Sequence, residues 1–469
     1  MIVRRRIRAT LRCRFGFVSF LGSLVLSACA APLILTEAER SEFDARAREL
    51  EQRLDPIEVE DPDSPPAAPA ARIEVQPEPD LDSAVSRDET AEAARLAAPV
   101  GLAFHIFNAG QADSMLVIGP APEKKTLLID LGEDRSRGSK NYRRVASRLR
   151  QLTNSERLDY LLVSHYHADH IGDTGDGIAG LVDGLTTRFK IGTLIDVGKE
   201  AKEFMKLHRN VYDRFDANVK RWLQEGTVER REKPRFGTGQ IHLGPGVKVE
   251  ILAFAGRVHK NDKGALDLVE RNFPGRYRRA PASENDLSIA LEISYKDFEL
   301  FTAGDLTGYN ADDWNIVPLF TPRQFGNSPS TANQETYTNV ESHLVKRWKA
   351  TGRESDVEVY RANHHGSRFS SCPMLLEALD PEFILFSTGG GHGHPDGTVV
   401  RRSVRTAKLM ATTEVAQTSS DDWNAAQGKI RQEISIRVAE TGKTYTIEGN
   451  AQKAFTDAEE RQGMDQPSP

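Results

Sequence analysis

At 469 residues the chain is too long for one ordinary domain, and its net charge of −6 hides a strong polarity along it. Residues 1–32 carry six Arg and no acid, and residues 33–100 carry eighteen Asp and Glu against seven Arg, which leaves residues 101–469 with one net negative charge. So neutral a body provides no global basic field for nucleic acid, and three cysteines (Cys13, Cys29 and Cys372) exclude a disulfide framework.

Residues 1–28 read as an export signal. Arg4, Arg5, Arg6, Arg8, Arg12 and Arg14 precede the apolar stretch Phe15 to Leu26, which is short for a spanning helix. Leu26-Ser27-Ala28-Cys29 resembles the bacterial lipobox, which implies cleavage before Cys29 and its lipidation. Ala30 follows, and not the aspartate that favours inner-membrane retention, so in a Gram-negative source the anchor is expected on the periplasmic face of the outer membrane. A plain membrane anchor and a cleaved signal with a chance cysteine are the alternatives. Residues 29–100 form an acidic, Pro/Ala-rich tether with one short helix, Thr36 to Leu54; Pro56 to Asp82 has too few large apolar residues to offset the entropy of ordering.

From Gly101 the pattern is strand-rich. Leu102 to Phe107 and Ser114 to Ile118 read as paired strands around Asn108-Ala109-Gly110-Gln111-Ala112-Asp113, and Thr126 to Ile129 is a third strand ending in Asp130. Tyr142 to Leu152 reads as a helix, Leu158 to Val163 and Ile191 to Val197 as strands, and the charged Lys199 to Gln224 as an exposed surface helix. Val247 to Phe254, Leu287 to Ser294, Phe298 to Thr302, Val357 to Tyr360 and Phe383 to Ser387 follow as strands, with a closing hairpin of Ile434 to Val438 and Thr444 to Ile447. Strands interleaved with helices and without repeats predict one large α/β sandwich over 101–450, with an insertion at about 307–338 and a polar tail at 451–469.

The chemistry gathers at strand ends. Ser164-His165-Tyr166-His167-Ala168-Asp169-His170 places three histidines and an aspartate within six residues of a buried strand. His165 and His167 alternate, so an extended backbone points both rings to one side, while Asp169 and His170 turn into a helix and reach a second point nearby. Gly304-Asp305, Asn363-His364-His365-Gly366-Ser367 and Gly391-His392-Gly393-His394-Pro395-Asp396 follow three later strands. Seven of the twelve histidines thus fall in three short clusters, which packing alone gives no reason for. Imidazole and carboxylate are ligands for divalent transition metals, and this many together point to two ions. His105, His208 and His343 read as structural or surface residues.

HxHxDH after a strand, with a later Gly-Asp and a later His, resembles the metallo-β-lactamase superfamily. Asp130, ending TLLID, resembles that superfamily's first-motif aspartate, and three further segments resemble the hydrolase domain of ComEC-type DNA-uptake proteins: Asn108 to Ser114 (NAGQADS), Glu284-Asn285-Asp286-Leu287-Ser288, and HHGS at His364 to Ser367. The His392-Gly393-His394-Pro395 element is similar to that branch's final motif. The resemblance covers 101–410 and implies an αββα sandwich with a dinuclear site at one edge. It implies that His165 and His167 hold the first metal, that Asp169, His170 and His365 hold the second, and that Asp305 bridges them. His364 is then left facing substrate, although the roles of His364 and His365 could be reversed. Asp130 is expected to accept hydrogen bonds that fix the metal loop. Asp113, Asn285, Ser367 and His392 are expected around the metals or against substrate. Asn285 stands where many members supply a third histidine; an amide there makes the site harder, so Zn²⁺ has Mn²⁺ as a rival.

Two such cations lower the pKa of a water between them and offset charge that builds on a phosphoryl or carbonyl oxygen. Asp169 belongs with that catalytic centre, and His364, His392 or His394 is placed to protonate a leaving group, His394 being favoured of the last two. The expected activity is phosphodiester hydrolysis, on nucleic acid, a nucleotide or an envelope phosphodiester, with no obligate protein partner. A lactone, β-lactam or thioester hydrolase of the same fold is the alternative enzyme, and a lipid-tethered binding protein is the non-catalytic one. Arg271 to Arg279, Arg401, Arg402 and Arg405 form basic patches that read as solvated faces.

Overall fold

The fold comes from a computed structural model. It describes residues 100–132, 141–172, 176–184, 187–198, 209–259, 265–267, 283–308, 339–389, 393–407, 409–413, 429–430 and 433–449. The export signal with Cys29, the tether, residues 309–338 of the insertion, His208, the patch at Arg271 to Arg279, His392 and the tail all lie outside these. No helix among the described residues is long and apolar enough to cross a membrane.

Two sheets face each other. The first runs in the order Tyr445–Gly449 (β17), Ile434–Ala439 (β16), Val100–Ile106 (β1), Met115–Ile118 (β2), Thr126–Ile129 (β3), Arg157–Leu162 (β4), Lys190–Ile195 (β5) and Val228–Glu232 (β6). The second runs Lys429–Ile430 (β15), Leu409–Thr412 (β14), Phe383–Phe386 (β13), Val359–Arg361 (β12), Phe298–Thr302 (β11), Ala290–Tyr295 (β10), Val247–Phe254 (β7), Arg257–His259 (β8) and Ala265–Asp267 (β9). β3 to β6 pair in parallel, as do β11 to β15, and the remaining neighbours are antiparallel.

The period-two alternation of side chains explains why the second sheet is apolar on both faces. Val359, Phe383 and Leu385 join the core between the sheets, while Tyr360, Ile384 and Phe386 face the outer layer. That outer layer is made by the helices Val340–Thr351 (α5), Pro373–Leu379 (α6) and Gly397–Ser403 (α7). On the first sheet Asn141–Thr153 (α1), the single turn Ala168–Ile171 (α2), Gly177–Asp183 (α3) and Arg209–Glu225 (α4) pack against the same core, completing an αββα sandwich.

Several sequence expectations shift. The charged helix expected to lie exposed buries Tyr212, Phe215, Val219 and Trp222, a stripe at helical spacing that its many charges mask. Each such aliphatic or phenyl side chain contributes roughly 1.5–3 kcal/mol through burial. The strand expected from Leu287 begins only at Ala290, because Glu284–Leu287 closes a tight 3₁₀ turn whose Ser283 hydroxyl accepts the Asn285 N–H. β6, β8, β9, β14 and β15 escape the sequence reading: they are short, and β6 (VERRE) is a charged edge without apolar alternation.

Candidate metal centre

The loops after β3, β4, β11, β12 and β13 all leave the carboxyl ends of parallel strands, so both sheets present their chemistry at one edge of the sandwich. Backbone hydrogen bonds tie these loops together. The Asp113 N–H donates to Asp169 O (2.8 Å), Leu131 N–H to His170 O (2.9 Å), Ile289 N–H to Ser164 O (3.1 Å) and His364 N–H to Gly304 O (2.9 Å). Two glycines make this closeness possible: a Cβ on Gly132 would collide with Asp169 O, and one on Gly304, at φ +51°, with Ser164 Oγ.

Two groups of ligand atoms each gather within 4.8 Å: His165, His167 and Asp305 in one, and Asp113, His170, Asp305 and His365 in the other. Asp305 is common to both, its Oδ2 lying 3.7 Å from His165 Nε2 and its Oδ1 3.0 Å from His170 Nε2.

The imidazoles are oriented by what holds their other nitrogen. Nδ1–H of His170 donates to Asp130 Oδ2 (2.9 Å) and Nδ1–H of His365 to Ser387 O (2.8 Å), which leaves a lone pair on each Nε2. Ser164 Oγ donates to Asp130 Oδ2 (2.6 Å), so it accepts from His165 Nδ1 (3.1 Å), and the His165 Nε2 lone pair faces His167 Nδ1 at 3.0 Å. Asp130, itself in the left-handed region at φ 57°, also accepts the Ser164 N–H (2.8 Å). It thereby anchors the loop and stays outside both ligand groups.

The second group needs a further distinction. Asp113 lies 3.7 Å from His170 Nδ1 and 3.6 Å from His365 Nδ1, the ring edges already engaged elsewhere. Asp169 Oδ2 lies 3.4 Å from the opposite edge, His365 Nε2. Asp113 therefore stands behind the imidazoles and Asp169 in front of them.

These residues fit a divalent cation. The Nε2 atoms of His170 and His365 and Oδ1 of Asp305 are buried and make no hydrogen bond, which is costly for polar atoms unless something else binds them. The local field has the matching sign. Burial opposes a charge on His170, yet Asp305 and Asp130 outweigh it and raise its pKa well above the usual imidazole range. Burial likewise opposes charge on His365, but Asp113, Asp305 and Asp169 push it up to about 9. For Asp305 burial favours the neutral acid, and His170, His364 and His365 override it and hold the carboxyl well below its ordinary range. Burial, with His170 alongside, keeps His165 well below the imidazole range and so neutral. A site that stabilises positive charge on its ligands is one where a metal ion displaces protons.

His364 and His365 both sit at positive φ, 50° and 54°, a conformation rare for residues with a Cβ. The kink sends the two rings apart: His365 is buried, while His364 reaches Asp305 Oδ2 at 3.7 Å with 16% of its side chain exposed. Asn285 Nδ2 lies 3.3 Å from His364 Nε2. The His394 ring is 5.8 Å from His364 and stacks parallel to His365 at 6.3 Å. With His167 and Asp169, 19% and 32% exposed, these residues border the open side of the centre. Ser367 is buried in the turn, where its N–H donates to His364 O (2.8 Å), and joins neither ligand group. His105 is buried against Ser435 (2.8 Å), away from the centre.

Three supports escaped the sequence reading. Glu284 Oε1 accepts the Tyr166 N–H (2.8 Å), and Oε2 lies 3.7 Å from His167 Nε2, opposite its ligand edge. Tyr166 donates to Asp196 (2.7 Å), which Arg231 grips through two nitrogens, bracing the loop from β5 and β6. Arg361 is buried against Asp113. A buried carboxylate or arginine within a strand-end motif was the only local hint of any of these.

Two facing sheets with helices outside and clustered histidines and carboxylates at one edge are the metallo-β-lactamase αββα fold, and residues 107–258 match the family model described as Metallo-beta-lactamase superfamily. Among solved structures the chain is similar to Zn²⁺-bound PqqB from Methylobacterium extorquens, at 10% identity and a TM-score of 0.31 over 70% of this chain and 97% of that one. It is also similar to unliganded yeast PDE1, at 8% identity and a TM-score of 0.32 over 72% and 99%. Neither likeness decides a substrate. No curated protein sequence matches the chain.

Proposed function

We propose that the protein is a dinuclear metallohydrolase that cleaves phosphodiesters. The observation that carries this reading is Asp305, whose two oxygens face separate imidazole groups. His165, His167 and Asp305 would hold one ion, and His170, His365, Asp169 and Asp305 the other, Zn²⁺ first and Mn²⁺ as its rival. Bound there, the ions supply Lewis acidity and an activated water. Asp130, Ser164 and Ser387 keep the ligand nitrogens aimed. His364 and His394, on the open side, are placed to hold the phosphoryl group and protonate the departing oxygen. Preference for a phosphodiester over a lactone, β-lactam or thioester rests on the HHGS and Glu284 to Ser288 segments and their likeness to the ComEC branch.

The test is metal content and hydrolysis of bis(p-nitrophenyl) phosphate by the full chain, compared with Asp305→Ala. We expect two ions per chain in the wild type, and in the variant a loss of turnover on the order of 10²–10³-fold with ions lost from both groups. Turnover of a lactone or β-lactam with none of the diester would move the reading to the alternative enzyme. A folded wild type that takes up neither Zn²⁺ nor Mn²⁺ would leave a tethered binding protein.

The same reading places the enzyme at the cell envelope, exported and held by lipid on Cys29, on the outer membrane's periplasmic face in a Gram-negative cell. Its support is the Arg run, the short apolar stretch and the LSAC segment. Labelled palmitate should enter the wild-type protein and not Cys29→Ser; equal labelling of both would remove the anchor.

A further inference from the structure

Arg361, the last residue of β12, is one of the largest side chains in the interior, only 1% exposed. A guanidinium there is strongly disfavoured unless its charge and donors are met. They are met by three groups at the metal edge. Nη2 pairs with Asp113 Oδ1, Nη1 donates to Thr302 Oγ1 (3.2 Å) and Nε donates to Ser387 Oγ (3.3 Å).

Two of these partners stand directly behind His365. Ser387 O accepts its Nδ1–H, and Asp113 Oδ1 lies 3.6 Å from the same nitrogen. Asp113 comes from the turn between β1 and β2 of the first sheet, so the pair bridges the sandwich beneath the centre. The same buried turn is tied to the metal loop, since the Asp113 N–H donates to the carbonyl of Asp169. Asp113 already lies within 4.8 Å of the other ligand atoms of that group, on the Nδ1 side of both imidazoles.

We propose that Arg361 is a positioning residue for the second ion, acting through Asp113: it holds that carboxylate behind His170 and His365 and off their Nε2 side. The proposal rests on the two-ion reading above. Without Arg361, Asp113 is an unpaired buried carboxylate that draws on the imidazoles or competes for the ion, and the second ion loses its arrangement of His170, His365, Asp169 and Asp305. Arg361's ion pair and hydrogen bonds go to Asp113, Thr302 and Ser387 and to none of His165, His167 and Asp305, so the first group keeps its ion.

The experiment uses the full-length protein with Arg361→Met, Asp113→Asn, the double variant and Arg361→Lys. Zn²⁺ per chain and the two dissociation constants are read by chelator competition, and near-UV circular dichroism reports packing. We expect Arg361→Met to weaken the second ion about 10–100-fold and leave the first unchanged. Arg361→Lys, which keeps the charge without the fork, should recover part of that loss. Because Arg361 acts through Asp113, the double variant should bind the second ion no worse than Asp113→Asn alone. That comparison also serves if Arg361→Met fails to fold, since the double variant buries no unpaired charge. Unchanged constants in Arg361→Met, equal weakening of both ions, or a double variant tenfold worse than Asp113→Asn would each overturn the proposal. A folded wild type without ions would overturn it together with the two-ion reading.

Discussion

The two ligand groups share Asp305 but are built differently. One draws His165 and His167 from a single extended segment and opens to solvent through His167. The other gathers His170 from the first sheet's side and His365 from the second, both buried, with the far nitrogen of each ring held by Asp130 or Ser387. The lesson is a difference in bracing: both rings of the second group are buried and held from opposite sheets, whereas one ring of the first, His167, is partly exposed. Fixing an ion needs ligand nitrogens locked by partners, whereas meeting a substrate needs a side left open.

The strongest way to break the comparison is to truncate one histidine from each half. His365→Ala should lose the second ion and cut turnover on the order of 10²–10³-fold, whereas His167→Ala should lower first-ion affinity while the second stays bound. Metal counts by mass spectrometry and turnover on a diester check this; equal loss of both ions in both variants would show the halves to be one cooperative unit.

A smaller effect is expected at the open border. His364→Ala should keep two ions and lose about 10²-fold in turnover of a diester with an alkyl leaving group. The loss should be much less with p-nitrophenolate, which departs without a proton. A drop in metal content would make His364 a ligand and reverse its role with His365.

The smallest effect sharpens the electrostatic side. Burial acts on Asp305 and Glu358 alike, but imidazoles surround the first and carboxylates the second. For Glu358 burial, with Glu299 and Glu382 alongside, pushes the carboxyl up to about 7 from 4.5. The folded state therefore prefers the protonated acid. That stability is full below pH 4.5 and is lost as the pH rises through about 7. Glu358→Gln keeps the acceptor for the Glu299 N–H and does not titrate. Denaturant unfolding should find it more stable than wild type by roughly 1–3 kcal/mol at pH 8 and no more stable at pH 4.5. A pH-independent difference would remove the carboxylate cluster as its cause.

What the sequence determined by itself is whatever lies within one strand and the loop after it. Alternation brings His165 and His167 together, a buried run ends in Gly304-Asp305, and histidines recur after the later strands, so the residue types that gather at the edge and the sandwich class were legible. Only the tertiary structure decided which side of an imidazole each carboxylate occupies. Asp113 and Asp169 are both acids beside the motifs, and their separation to the back and front of His365 depends on loops from β1, β4 and β12 meeting at one edge. The same holds for Arg361 against Asp113, for Glu284 behind His167, and for the apolar stripe of α4 among its charges. The physical reason is range: the backbone's period sets local facing, while pairings between residues more than a hundred positions apart exist only once two sheets have packed.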